Sequence, residues 1–142
     1  MTWIYQTTVV DTLPEDCIGF VYLITNTVND KKYIGKKLAK FAKTTYKTVK
    51  LKSGKKKRKK IKSKVDSDWQ TYWSSSDELK KDIASVGQDN FTREILKYCS
   101  SKSELSYYEA KYQFNYDVLL NEDLWYNGWI SVRVRRSQLR QK

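Results

Sequence analysis

The sequence predicts an α/β (α+β) domain in which a small antiparallel β-sheet is flanked by helices. Three observations carry that prediction. Residues 19–35 contain two β-rich runs separated by turn formers. Two Ser-x-x-Glu capping boxes, Ser75 to Glu78 and Ser101 to Glu104, each precede an apolar stripe at helical spacing. Between those stripes, Phe91 to Tyr98 alternates with the period of two that a half-buried strand requires. At 142 residues the chain is expected to form one domain, 1–142, with one core. Eleven Tyr, five Trp and four Phe supply enough apolar surface for that core and argue against global disorder.

Taken in order, Trp3 to Val10 reads as a first strand, broken by Pro14 and the pair Glu15-Asp16. It suits an edge strand or an arm lying on the core. Phe20 to Thr25 is an apolar, β-branched and aromatic run, hence a strand. Asn26 to Asp30 supplies the reversal, and Lys32 to Ile34 returns as a second, short strand. Tyr22 then sits on the first strand and Tyr33 on the second. Gly35 ends the hairpin where a side chain would block close approach of another group. Leu38 with Phe41 or Ala42 has helical spacing and predicts a short helix after the hairpin.

A Lys-rich insertion follows over residues 44–66. Positions 47–64 hold ten Lys and one Arg with no acid, so +11 of the formal net charge of +12 lies there. Such a segment repels itself. It is expected to be a mobile loop or a loose hairpin pairing Val49-Lys50-Leu51 with Ile61, turning at Ser53-Gly54. Lys55, Lys56, Lys57, Arg58, Lys59 and Lys60 are its candidate phosphate contacts. The plainer alternative is a solvated charge run or a localisation or membrane tag.

Trp69, Tyr72 and Trp73 form an aromatic cluster suited to core packing, with a base-stacking platform as the alternative. The first capped helix carries Leu79, Ile83 and Val86 and closes at Gly87. The second carries Leu105, Tyr108 and Tyr112, runs to about Leu119, and holds Glu109 beside its apolar stripe. Asn127-Gly128 is a turn signal, followed by a short predicted strand from Ile130 to Val134. A basic tail over 133–142 offers Arg135 and Arg136 as further phosphate contacts.

The net charge points to a polyanionic partner, most simply nucleic acid, with an acidic membrane surface as the competing explanation. The chain has no histidine. Ser-His and Cys-His nucleophile pairs and His-ligated metal sites are therefore excluded. Acid–base chemistry must use carboxylates, Tyr, Lys or water. Cys17 and Cys99 are far apart and make no zinc pattern. Without a signal peptide or long apolar run, the protein is expected to be intracellular and cytoplasmic, with reduced thiols.

Gly19-Phe20-Val21-Tyr22, a short turn, and then Tyr33-Ile34-Gly35 resemble the opening of the GIY-YIG nuclease superfamily. The second half matches to the letter; the first has one extra residue between Gly and Tyr. The resemblance implies a metal-dependent DNA endonuclease that hydrolyses phosphodiester bonds, of homing or restriction type. The resemblance is to phage-type homing and freestanding endonucleases of that superfamily, so a phage-encoded protein in a bacterial host is one expectation. Its implied cofactor is Mg²⁺ or Mn²⁺, bound by Glu109, the glutamate on the second long helix. Its implied partner is double-stranded DNA rather than a membrane; sequence preference is either modest or comes from the basic loop or from formation of a homodimer. By the same resemblance Tyr22 is the expected general base and Tyr33 its partner or a phosphate contact. The family's arginine after the second motif has no counterpart between Gly35 and Lys57, so Lys36, Lys37 or Lys43 must supply that charge. Tyr126-Asn127 resembles the asparagine that closes the family's catalytic module. The alternative is a non-catalytic nucleic-acid-binding module that keeps the hairpin for packing.

Overall fold

The structure, a computed structural model, describes residues 2–140. Its centre is the hairpin formed by β3 (Gly19–Asn26) and β4 (Lys32–Leu38). Two short side chains shape the reversal: Asn26 accepts from the Val28 amide and Asn29 from the Lys31 amide. Asp30 takes a left-handed φ of 66°. On its other side β3 pairs antiparallel with β7 (Phe91–Cys99). β3 is therefore an inner strand and β4 an edge strand, in the order β2 (Thr8–Val10), β1 (Trp3–Tyr5), β7, β3, β4.

The expected first strand is in fact a tight hairpin of β1 (Trp3–Tyr5) and β2 (Thr8–Val10). Gln6 and Thr7 between them both have positive φ, the geometry of a two-residue hairpin turn. β1 lies parallel to β7, so the sheet is mixed, not purely antiparallel.

Alternation along β3 separates two cores. Phe20, Tyr22 and Ile24 face α1 (Asp77–Val86) and pack with Trp3, Leu79, Ile83 and Phe91. Val21 and Ile34 face α2 (Lys102–Asn115) and pack with Leu105 and Val118. Both helices begin at serine caps. Ser101 accepts from the Glu104 amide, as the capping box predicts. For α1 the cap is Ser76, one residue later than expected, accepting from Leu79. Gly87 closes α1 with φ 98°. α2 stops at Asn115, short of Leu119.

The 69–73 segment is held by Arg93, buried on β7. Its guanidinium donates to the Gln70 and Tyr72 carbonyls and lies between the Trp3 and Trp73 rings. Burial lowers its pKa to about 10, so it stays charged at neutral pH. The Trp3 indole donates to the Trp69 carbonyl at 2.7 Å. These contacts pack the aromatic cluster against the sheet.

Two expectations fail after β4. No short helix forms at 38–42. Leu38 ends β4, and Phe41 lies in β5 (Lys40–Lys50), so their helical spacing was coincidental. The basic insertion is a regular antiparallel ribbon of β5 and β6 (Lys56–Asp66), eleven residues a side. Its register pairs Thr45 with Ile61 and Val49 with Lys57, not Val49–Leu51 with Ile61. Gly54, with φ 85°, permits the tip turn. The neck closes where Ser67 donates through its amide to Ala39 and through its hydroxyl to the Leu38 carbonyl. Residues 130–134 form no strand. Among the described residues, no helix is long and apolar enough to cross a membrane.

Candidate active site

The exposed edge of β4 is covered by the C-terminal segment. Leu124 accepts from the Lys32 amide, and the Tyr126 amide donates back to Lys32. Asn127 then continues this pairing with its side chain. Its Oδ1 accepts from the Ile34 amide at 3.1 Å, and its Nδ2 donates to the Ile34 carbonyl at 2.8 Å. Gln113 of α2 donates to the same carbonyl at 3.0 Å. Both are buried, so these bonds replace water that the strand edge cannot reach. The Tyr126 hydroxyl donates to Asp82 at 2.6 Å and accepts from Asn26, anchoring the segment to α1 and β3. Burial, offset by the Asn26 bond and reinforced by Asp82, pushes the Tyr126 pKa up to about 12.

Beside this clasp a cavity of about 680 Å³ opens between α1, the β4 edge and α2. Tyr33 and Lys36 of β4, Ser75 before α1, and Glu109 and Gln113 of α2 line it, and Asn127 and Trp129 complete its wall. Neighbouring residues on a strand point to opposite faces, so Tyr33 approaches from the α1 side and Lys36 from the α2 side. The Lys36 ammonium donates to Ser106 at 2.9 Å and lies 4.0 Å from Glu109. The Glu109 side chain is only 15% exposed. Burial raises its pKa, and the Lys36 charge and backbone amide pull it back.

The two motif tyrosines occupy different places. Tyr33 lines the cavity, with its hydroxyl 3.5 Å from that of Ser75. Burial raises its pKa, the Ser75 contact lowers it, and the Glu109 charge raises it again. Tyr22 does not line the cavity and is fully buried beneath Gly35. Its hydroxyl lies among Tyr33, Tyr72 and Ser74, and burial, then the neighbouring Tyr33, holds its pKa well above the ordinary phenol value. Tyr22, expected as the base, thus lies away from the cavity, whereas a proton acceptor must reach the water it activates. Gly35 is explained by the same packing. It pairs directly with Tyr22 across the strands. A Cβ there would lie 2.5 Å from the Tyr22 hydroxyl and 2.8 Å from the Tyr33 ring.

Of the three candidate cations, only Lys36 lines the cavity. Lys37 points to the other face, bound to Asp68 at 2.6 Å and lying over the Tyr72 ring. Lys43 pairs opposite Ser63 within the ribbon, away from the cavity. Lys55 lies in the ribbon's tip turn, and Lys56, Lys57, Arg58, Lys59 and Lys60 lie on β6, all outside the cavity. Arg135 and Arg136 sit at a short 3-10 turn in the tail, also apart from it. Sequence reasoning missed Gln113, Ser75 and Trp129. Gln113 was available as the residue one helical turn after Glu109 on the same face.

Among the described residues, no cluster of three His, Cys, Asp or Glu side chains could hold a metal ion. Glu109 nonetheless fits a divalent cation. It is a desolvated hard-oxygen donor facing an open cavity, where water and phosphate oxygens can complete the shell.

The sequence model of the family described as "Putative endonuclease segE, GIY-YIG domain" matches residues 3–130. Neither the curated proteins nor the solved structures give a significant match.

Proposed function

The chain belongs to the GIY-YIG nuclease superfamily, and from that premise we propose that it hydrolyses phosphodiester bonds of duplex DNA with one divalent metal ion, Mg²⁺ or Mn²⁺. The observation that carries this reading is the meeting of Tyr33, Lys36 and Glu109 in one cavity at the β4 edge. Glu109 holds the cation. When bound, the cation supplies positive charge to the phosphate oxygens and lowers the pKa of nearby water. Lys36 places a second positive charge at the phosphate, as a point charge rather than a planar fork. Tyr33 is the proton acceptor for the attacking water, or orients it through its hydroxyl together with Ser75. Tyr22 supports the Tyr33 ring from below, at a centroid distance of 6.1 Å. Asn127 and Gln113 position the strand that carries Tyr33 and Lys36 and do not themselves touch the phosphate. The biological role is that of a homing or restriction-type endonuclease.

The test is cleavage of supercoiled plasmid with and without Mg²⁺, scoring nicked and linear products. Metal-dependent cleavage that disappears in Glu109→Gln is the expected result. Tight binding with no cleavage under any divalent metal would establish the alternative, a binding module.

A further inference from the structure

The ribbon of β5 and β6 has two unlike faces, fixed by its register. Directly opposed residues of an antiparallel pair share a face, and successive residues alternate. Lys56, Arg58, Lys60, Lys62 and Lys64 therefore form an unbroken row of five cations along β6. Beside them on the same face β5 presents Thr44, Tyr46 and Thr48. Arg58 lies over the Tyr46 ring at 4.3 Å, which stiffens both side chains. The opposite face carries the four large aliphatic and phenyl side chains of the strands, Phe41, Val49, Ile61 and Val65. At its base Phe41 lies against the body, with the Lys37 ammonium 5.1 Å above its ring.

The dimensions suit a duplex. Eleven residues at about 3.4 Å each give a ribbon on the order of 35 Å long. Alternate residues advance about 6.8 Å, so the row of five cations spans about 27 Å. A two-stranded ribbon is also an element that the major groove of B-DNA admits. We propose that the Tyr46 face of the ribbon lies in the DNA major groove. The β6 cations follow one phosphate backbone, and Thr44, Tyr46 and Thr48 meet base edges. Charge complementarity selects the face: the polar side has the continuous cationic row, and the other side interrupts its lysines with apolar groups. Sequence preference then originates in the β5 row, because phosphate contacts carry no base information. The proposal rests on DNA being the substrate, but it does not depend on cleavage.

Adjacent positions on one strand provide a charge-matched test. Lys57 and Lys59 face the apolar side; Arg58 and Lys60 face the Tyr46 side. Each pair is replaced by glutamine in the Glu109→Gln background, and binding to duplex DNA is measured without divalent metal over a range of salt. Arg58→Gln/Lys60→Gln should weaken binding and flatten the slope of log affinity against log salt by up to about 1.8, two phosphate contacts at roughly 0.9 each. Lys57→Gln/Lys59→Gln should leave the slope close to that of the parent. Equal losses from the two pairs, or the larger loss from Lys57/Lys59, would overturn the proposal. Binding to vesicles of anionic lipid but not to duplex DNA would overturn it too. A second variant, Thr44→Val/Thr48→Val, should change the preferred sequence without changing the slope, and an unchanged preference would remove the base-reading part. Circular dichroism of each variant checks that the fold is retained. Because binding is read in cleavage-dead protein, a failed nuclease reading and a failed ribbon reading give different results.

Discussion

Tyr22 and Tyr33 occupy equivalent places in the motif, and only their surroundings separate them. The sequence could pair them across a hairpin, but it could not show which hydroxyl reaches solvent. That depends on α1 and on the 69–73 segment, which close over Tyr22. Tyr22→Phe removes a fully buried hydroxyl. It should leave turnover unchanged and stability within about 1 kcal/mol, because the hydroxyl's contacts with Tyr72 and Ser74 are at most weak. Tyr33→Phe should lower turnover by about 10²-fold or more, the range of a general base. Kinetics of the two purified variants decide the matter, and a large loss in Tyr22→Phe would return the base role to it. A pH profile gives the sign. Burial holds Tyr33 above the usual phenol value, so its hydroxyl is protonated at pH 7. If it accepts the proton, log kcat should rise with a slope near one over pH 6–8 at saturating metal. That rise should vanish in Tyr33→Phe. The place of Glu109 beside an apolar stripe on a capped helix was legible in the sequence, whereas its metal role came from the family resemblance alone. Glu109→Gln keeps its shape and removes its charge. It should cost about a thousandfold or more in cleavage with little change in the melting temperature.

At the scale of elements, the site is built by what happens to one strand edge. β4 carries Tyr33 and Lys36, and its outer hydrogen-bonding groups would be unsatisfied without the 124–127 segment and Gln113. The sequence showed β3, α1, α2 and β7 well, because period and caps are local signals. It did not show the clasp. Asn127-Gly128 is a turn signal, and the Asn127 partner lies 93 residues away. Asn127→Ala should cost about 1–3 kcal/mol by leaving the Ile34 amide buried and unpaired. It should also lower turnover, since the strand bearing Tyr33 and Lys36 loses a fixed position. Denaturant unfolding and single-turnover cleavage of the same variant separate the two effects. Unchanged stability would mean that the side chain does not hold β4. The misread helix at 38–42 has a related cause. Three apolar residues match a helical face as well as they match the end of one strand and the start of another, and only pairing with Val65 and Gly19 decides between them.

The whole molecule divides by charge. The stretch 47–64 holds +11 of a net +12, leaving a nearly neutral remainder. Composition made that division legible, yet self-repulsion suggested a mobile loop where the structure has a ribbon. The β-branched and aromatic residues Thr44, Thr45, Tyr46, Thr48 and Val49 favour a strand, Gly54 permits the turn, and salt screens the repulsion between exposed side chains. The ribbon leaves the body through a neck closed by Ala39 and Ser67, and neither core includes residues beyond that neck. Replacing residues 43–63 by a short Gly-Ser turn should therefore preserve cooperative unfolding. Tyr33, Lys36 and Glu109 keep their places, so cleavage at saturating DNA should fall less than affinity does. Affinity should drop for all sequences, because a shared backbone term is lost, and any preference read by the ribbon should go with it. The slope of log affinity against log salt should flatten by a few units, not eleven, since one face of a ribbon cannot bring every lysine to a phosphate. Salt-dependent binding and saturating cleavage, measured on one preparation, check both halves. An unchanged slope would make the ribbon a solvated appendage, and loss of folding would mean that the neck is part of the core.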